Sequence, residues 1–504
     1  MRRKKAGHRL SVKDIRLQYS GLIIFAAKLT SVLTGLIFQF IIARALTGPV
    51  HGQEYGLWFN ISDVSNYFVL MAGVLPFWAM RYVTRDKQGA TKTGIVGNLA
   101  ISGVAAATYL LLIPTVMSAL HISSTYLPTY LLVSIQIIEV YSIGVLEPCL
   151  QPRKPQAIGY GLLVQQVAKV AIAYLLIIVF QQFLVGAVVA TLTGFAIQIL
   201  YYSRLVAAEL KQKIRFEYIR EWLKGSLGNI YNVIGNQLAA VIFIMLFAIG
   251  GDEARGILGA GAVVVNVITY SSFLSYALYP KLMADKNCED ATSCMKMVLM
   301  FAIPMTIGAI VLADSFIVLL KPEYAGTGAV LAVLAVDAFV SVISSFYLSI
   351  LYGFESVDDE ARLSLRKLVK SKMFIAFSLP YLHSAFTLPT AYYVLTNFAS
   401  NQPYQAALDV SVINAVVRTA MFLILFIVVR KAVMVRIPWR NIGKYLLSAA
   451  AMGTILYIIP HPTRISLILA ETALGGLIYL GLLFLIDKET RKLPKDIVQE
   501  FRRK

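Results

Sequence analysis

Charge is scarce in this chain. Of 504 residues only 14% are Asp, Glu, Lys or Arg, against about 25% in an ordinary soluble domain. Apolar residues make up 58%, and mean hydropathy is +0.71. That much apolar surface has no aqueous face to cover it, which excludes a soluble enzyme and a disordered chain. Cysteine is also rare. Cys149, Cys288 and Cys294 are too few for a disulfide framework, and none belongs to a CxxC or Cys/His ligand pattern, so no metal site is expected. No GxxxxGK[ST] segment occurs, so the chain has no P-loop ATPase of its own. Acidic residues are outnumbered 27 to 46, giving a formal charge of +19.

Long apolar runs are what the sequence has instead. A helix needs about 20 apolar residues to cross the hydrocarbon core. Fourteen runs qualify: 21–46, 55–80, 94–119, 126–148, 157–180, 183–206, 227–250, 256–280, 297–320, 325–353, 373–398, 406–430, 441–460 and 465–486. Strands of a membrane barrel would alternate over shorter segments. The expected fold is therefore all-α and polytopic, because a helix satisfies its backbone polar groups inside lipid.

The basic residues then orient the chain. With the first residue inside, 39 of the 46 Lys and Arg fall in cytoplasmic segments. The outer loops hold three, Arg255, Lys321 and Arg464, and four more lie within helices. This bias predicts both ends in the cytoplasm of a multi-pass plasma-membrane protein. It also assigns the +19 to topology and lipid headgroups rather than to nucleic acid. The basic stretch Met1 to Arg16 precedes a run too long for a signal peptide, and is read as leading into an uncleaved first helix. In 209–224, Leu210, Ile214, Tyr218 and Trp222 recur every four residues between basic ones, as an interfacial linker helix would have them. In 355–372, acidic residues precede basic ones, an order that suits a helix dipole. A solvated connector is the alternative for both.

An internal repeat appears under a shift of 200. Gly56 meets Gly256, Asn66 meets Asn266 and Arg81 meets Lys281, on two helices that run from outside to inside. The repeat is thus parallel, an arrangement used by transporters that bind substrate between two halves. The expected organisation is a basic N-terminus (1–20), a first lobe (21–206), a cytoplasmic amphipathic linker (207–224), a second lobe (225–430), a C-terminal helix pair (441–486) and a basic tail (487–504).

The stretch Phe40-Ile41-Ile42-Ala43-Arg44-Ala45-Leu46-Thr47-Gly48-Pro49, followed by Gly52-Gln53-Glu54-Tyr55-Gly56-Leu57, resembles the first-hairpin signature of polysaccharide-transporter flippases. These belong to the multidrug/oligosaccharidyl-lipid/polysaccharide exporter superfamily. Arg81 and the segment Gly353-Phe354-Glu355-Ser356-Val357-Asp358 are also similar, while Val50-His51 is an insertion and Thr47 precedes the Gly-Pro. The resemblance implies two six-helix lobes around a central cavity, with a lipid-linked oligosaccharide or polysaccharide precursor as cargo. Its phosphate would need cationic partners along the path.

Polar residues inside the runs are the candidate site, since a charge at mid-bilayer costs at least about 2.5–3.5 kcal/mol and faces a cavity or a partner. Lys28 continues through Ser31 and Gly35 to Gln39 on one face, and Asn60, Asp63 and Asn66 share another. With Arg81 and Lys281 at matching inner ends and Arg418 deeper in, these are the expected cavity residues. Interhelical hydrogen bonding is the competing reading. Glu139 and Lys169 lie at similar depths and are expected to pair. Asn229, Asn232 and Asn236, with Thr387, Thr390 and Asn397, form oxygen-rich faces for a coupling cation, Na+ or a proton. No cofactor is expected. Five intrahelical prolines, Pro76, Pro114, Pro304, Pro380 and Pro389, offer kinks or hinges.

These features point to a secondary transporter that flips a lipid-linked glycan by alternating access. The alternatives are a drug exporter of the same superfamily or, on weaker grounds, a membrane glycosyltransferase, for which the short outer loops offer no acidic pair besides Asp252-Glu253. The basic bias makes a direct prediction. Single cysteines at residues 52, 122 and 402 will react with an impermeant maleimide on intact cells; reaction only after permeabilisation would reverse the orientation.

Overall fold

The computed structural model describes residues 30–31, 34–46, 48–275, 282, 288–354, 371–399, 401–433, 435–460 and 464–491. No strand occurs among them. The helices are α1 (Thr34–Ala45), α2 (Gly48–Phe68), α3 (Val74–Thr84), α4 (Ala90–Ala119), α5 (Leu127–Leu150), α6 (Pro155–Ala173), α7 (Phe183–Leu205), α8 (Ala207–Leu210) and α9 (Phe216–Gly225). They continue with α10 (Leu227–Met245), α11 (Gly251–Thr269), α12 (Cys288–Val311), α13 (Ala313–Leu320), α14 (Gly328–Phe354), α15 (Lys372–Asn397), α16 (Pro403–Ala432), α17 (Trp439–Ile458) and α18 (Ile465–Ile486).

Each expected run is helical over nearly all of its described length. Nine helices of the described residues are long and apolar enough to cross a membrane, ten when a bent pair counts as one span. One of the nine is the continuous stretch Ile230–Ser275, 46 residues long. At 1.5 Å per residue it would reach about 69 Å, over twice the hydrocarbon thickness. Gly251, at φ 86° and ψ 175°, divides it into α10 and α11. Helices α2 to α7 pack as one lobe and α10 to α16 as the other, and the α17–α18 pair lies against α12 and α13.

The bent pair is Gln53–Phe68 with Leu70–Thr84, at 57°. The bend falls at a 3-10 turn, Leu70–Gly73, rather than at Pro76. Pro76 stands in the first turn of α3, where its missing N–H costs least. It still leaves the carbonyl of Ala72, four residues back, without an intrahelical donor. Asn98 Nδ2 on α4 supplies one at 3.1 Å, and also reaches Tyr141 O at 2.7 Å. The same solution recurs at Pro304 in α12. There the freed carbonyl is Met300 O, and Tyr479 Oη of α18 donates to it at 2.7 Å. A proline defect on one helix thus becomes the docking point of another.

The break in α2/α3 has a counterpart. A second 3-10 turn, Tyr270–Ser275, follows α11 at the position related to the first by the shift of 200. This shared 3-10 turn adds to the three residue matches of the repeat in the sequence.

The linker is structured but differs from the interfacial helix expected of it. Trp222 is fully buried within a protein cluster that includes Trp78 and Tyr82, not in lipid. Tyr82 Oη donates to Glu221 at 2.6 Å, and Trp78 Nε1 to Ser226 Oγ at 3.0 Å. Upstream, Arg215 N–H donates to Thr93 Oγ1, the Gly89 N–H to Gln212, and Arg153 bridges Asp86 and Glu209. The linker is therefore clamped to the first lobe. The segment expected at 355–372 lies, except for its last two residues, outside the described residues.

Beyond α18, Asp487 is almost wholly buried and receives hydrogen bonds from Lys444 Nζ at 2.8 Å and from Thr490 Oγ1 and N–H. Burial alone would raise its carboxyl; those hydrogen bonds outweigh it and hold the group below the usual carboxylate range. A lowered folded-state value means the stabilisation is complete above the unfolded value, about 3.9, and is lost as pH falls through the folded one. Thermal unfolding in detergent should show the parent protein more stable than Asp487→Asn at pH 7. That margin should shrink towards zero at pH 3; a margin that does not change with pH would show the carboxylate to be idle.

Candidate functional site

The two lobes meet where α2 crosses α11, at the ends that the basic bias places outside. Small residues let the backbones approach. A Cβ on Gly56 would lie 2.5 Å from Asp252 O, and one on Gly259 would lie 2.5 Å from the ring of Phe59. Below this contact Asp63 of α2 receives both N–H arms of Arg255 from α11. Nε to Oδ2 is 2.6 Å and Nη2 to Oδ1 is 2.9 Å. Both side chains are buried, at 8% and 9% exposure. The guanidinium also lies over Phe59 and Phe243, 5.1 and 5.4 Å from their centroids. Nearer the outer end, Lys321 Nζ sits 4.7 Å from the rings of Tyr55 and Tyr324 and 3.4 Å from Glu323.

Arg255 corrects the sequence reading, which placed it in an outer loop; Lys321 stands in a loop as expected, between α13 and a 3-10 turn, but is buried there. Arg255 is in the second turn of α11, and Lys321 is 2% exposed. The stripe Asn60–Asp63–Asn66 is corrected too. Asn60 is buried and accepts a hydrogen bond from Tyr130 Oη at 2.7 Å, and Asp63 is committed to Arg255. These two make interhelical bonds instead of lining an open groove. Asn66 is exposed, as is its repeat mate Asn266, and a Cβ on Gly73 would meet nothing within 4 Å. The lobes thus touch at this crossing, through α2 and α11.

In the second lobe Arg418 of α16 meets Asp337 of α14 at 2.6 Å, and Asn414 Nδ2 reaches Asp337 Oδ2 at 3.2 Å. Arg418 keeps 35% of its side chain exposed while Asp337 keeps 12%. His383 of α15 is buried close by, within electrostatic reach of Arg418. Of these residues the sequence reading had singled out Arg418; the structure sets Asp337, Asn414 and His383 around it.

The expected Glu139–Lys169 pair does not form. Lys169 Nζ stands 4.3 Å from the centroid of the Phe38 ring, and Glu139 Oε2 has no hydrogen-bond partner among the described residues. Equal depth did not bring the two side chains to facing sides of their helices. Gln39 is half-buried with Oε1 unpartnered among the described residues, and Arg81 is buried over Phe77 and Trp78. Lys28 and Lys281 lie outside the described residues.

The oxygen-rich faces proposed for a cation do not converge. Tyr231 stacks on Tyr381 with centroids 4.4 Å apart, which sets the register of α10 against α15. Gly235 packs on Pro380 and Tyr381, so Asn236 lies near residues 381–386, and Asn397 is eleven or more residues further on, about 16 Å or more along the axis. Asn236 donates to Asn232 O, Thr387 to His383 O and Asn397 to Tyr393 O, each within its own helix. Thr390 is exposed, and the side chain of Asn229 is outside the described residues. No group of three or more His, Cys, Asp or Glu among the described residues is placed to hold a metal ion.

No family model and no curated relative matches the sequence. Solved structures do. The lipid II flippase MurJ, in an inward closed conformation, aligns with a TM-score of 0.62 at 14% identity, over 92% of this chain and 98% of that one. An outward-facing multidrug-resistance MATE transporter of the MOP superfamily aligns at 0.56 and 14%, over 85% and 99%. A MOP superfamily transporter from Pyrococcus furiosus, described as having a binding pocket of reversed polarity, aligns at 0.55 and 14%, over 84% and 97%. The chain shares the fold of these transporters. The likeness spans nearly the whole of each of those chains.

The buried crossing yields a test. Breaking one side of a buried pair costs about 3–5 kcal/mol. Arg255→Met will therefore loosen the outer closure, measured as faster maleimide reaction of a cysteine at residue 55, and Asp63→Arg combined with Arg255→Asp will slow it again. If the exchange variant reacts as fast as Arg255→Met, the ion pair does not hold the lobes.

Proposed function

We propose that this protein is an alternating-access transporter that moves an anionic, lipid-linked glycan precursor across the membrane. Support for the transporter class comes from two parallel-repeat lobes joined at a buried crossing, in the fold of MATE and MurJ transporters. The observation that carries the cargo class is Arg418. A guanidinium in the middle of a membrane helix, one-third exposed, is paired on one side and open on the other. Such a group faces a cavity rather than lipid, and its remaining N–H donors suit a phosphate or diphosphate. On this reading cargo enters from the inner side past Lys28, Arg81 and Lys281, meets Arg418, and leaves when the Asp63–Arg255 crossing opens. The MurJ relative, a flippase for lipid II, is consistent with such a cargo. The basic bias of the sequence supports a cytoplasmic position for both termini.

Proteoliposomes separate this function from drug export. They should flip a fluorescent polyprenyl-diphosphate glycan and leave a cationic dye unmoved; dye efflux without flipping would assign the drug-exporter class. Asp337→Asn combined with Arg418→Gln removes both charges together and preserves packing, so its loss of flipping, by about tenfold or more for a lost charge-assisted contact, would fall on cargo contact. Full activity in that variant removes Arg418 from the path.

A further inference from the structure

A cavity of about 250 Å³ lies in the second lobe between α12, α14, α16 and the start of α17. Its wall includes Leu299, Phe346, Phe422, Phe426, Ile437 and Trp439, and none of its lining residues is charged. The wall runs from Trp439, at the inner end of α17, to Leu299 and Phe346. These lie eleven and eight residues from Cys288 and Phe354, the innermost described residues of their helices, a span of about 12–16 Å. That span is one leaflet of a hydrocarbon core about 30 Å thick. Leu423 and Trp439 line the cavity and are exposed at 54% and 71%, so it opens sideways as well as at its inner end. An exposed indole there sits at headgroup level.

The mouth is basic. Arg430, Arg436 and Arg440 are all exposed around the extended stretch that joins α16 to α17. Thr292 Oγ1 donates to Arg436 O at 3.3 Å and pins that stretch to α12. The main contacts between the lobes run through α2, α10 and α11, none of which contributes to the wall. The cavity therefore lies within the second lobe, where Phe422 of its wall follows Arg418 by one turn of α16.

We propose that this slot holds one acyl chain of an anionic phospholipid of the inner leaflet, with its phosphate on Arg436 and Arg440. A single chain matches the slot in depth and polarity, and the arginines match the headgroup in charge. The bound chain wedges α17 against α12, α14 and α16, so the C-terminal pair is seated on lipid as well as on protein. The inference needs the chain to span a membrane but is independent of its cargo.

Native mass spectrometry on the full-length protein tests it, with phosphatidylglycerol and phosphatidylcholine of identical chains as probes. One phosphatidylglycerol should bind per protein, more tightly than phosphatidylcholine. Arg436→Gln with Arg440→Gln, both on exposed positions, should weaken it by about fivefold per arginine, the scale of one basic group at an anionic surface, and leave phosphatidylcholine unchanged. Leu423→Trp, which fills the slot from its exposed side, should weaken both lipids. Equal binding of the two lipids in the parent protein would overturn the proposal. So would displacement by millimolar inorganic phosphate, which reports a headgroup patch alone, or an unchanged affinity in Leu423→Trp. Binding of a polyprenyl phosphate more than tenfold tighter than phosphatidylglycerol would assign the slot to cargo and also overturn it.

Discussion

Asp63 and Arg255 form the contact on which the relation of the two lobes depends. Each comes from a different half of the chain, 192 positions apart, and both are out of water. A charge there is tolerable only while its partner is present. Every neighbour follows from that demand. Gly56 and Gly259 bring the helices close enough for the side chains to meet, and Phe59 and Phe243 shield the guanidinium. Separation of the lobes would expose both charges to water, which would then replace each partner. The desolvation penalty and the Coulomb gain vanish together, so such a joint can be firm in one state without being permanent.

A second constraint is that no backbone polar group is left bare in lipid. The prolines show how it is met. Pro76 and Pro304 each free a carbonyl, and Asn98 and Tyr479 on other helices fill the gap. These bonds fix which residue faces which, something hydrophobic packing between uniformly apolar helices does poorly. Tyr479 in particular gives the last helix a fixed register on α12.

Much of the architecture was legible in the sequence, because a membrane makes the signal strong. Run length marked fourteen apolar segments, each helical over nearly all of its described residues, and a shift of 200 exposed the repeat. The Asn60–Asp63–Asn66 face was visible as a periodicity, but periodicity does not say what faces it. Arg255 was counted in an outer loop because the apolar run begins only at Gly256, whereas the helix begins at Gly251. Glu139 and Lys169 share a depth but not an azimuth. Asn236 and Asn397 share a helical face pattern but not a level, since the register of α10 on α15 is set by Tyr231 and Tyr381. The Asp337–Arg418–His383 neighbourhood needed the packing of three helices on one another, which no one-dimensional pattern encodes.

The clamped linker has a mechanical consequence. Trp222 and Ser226 are tied to Trp78, and α10 begins at the very next residue, Leu227. No slack chain separates the first lobe from the second at this point. The lobes cannot slide apart there, so relative movement becomes a tilt about a pivot near residue 226. A tilt about a pivot at the inner edge gives small displacements beside it and the largest ones at the far edge, where Tyr55 and Lys321 lie. The fold is in effect a lever with its fulcrum in the linker and its latch at the opposite face.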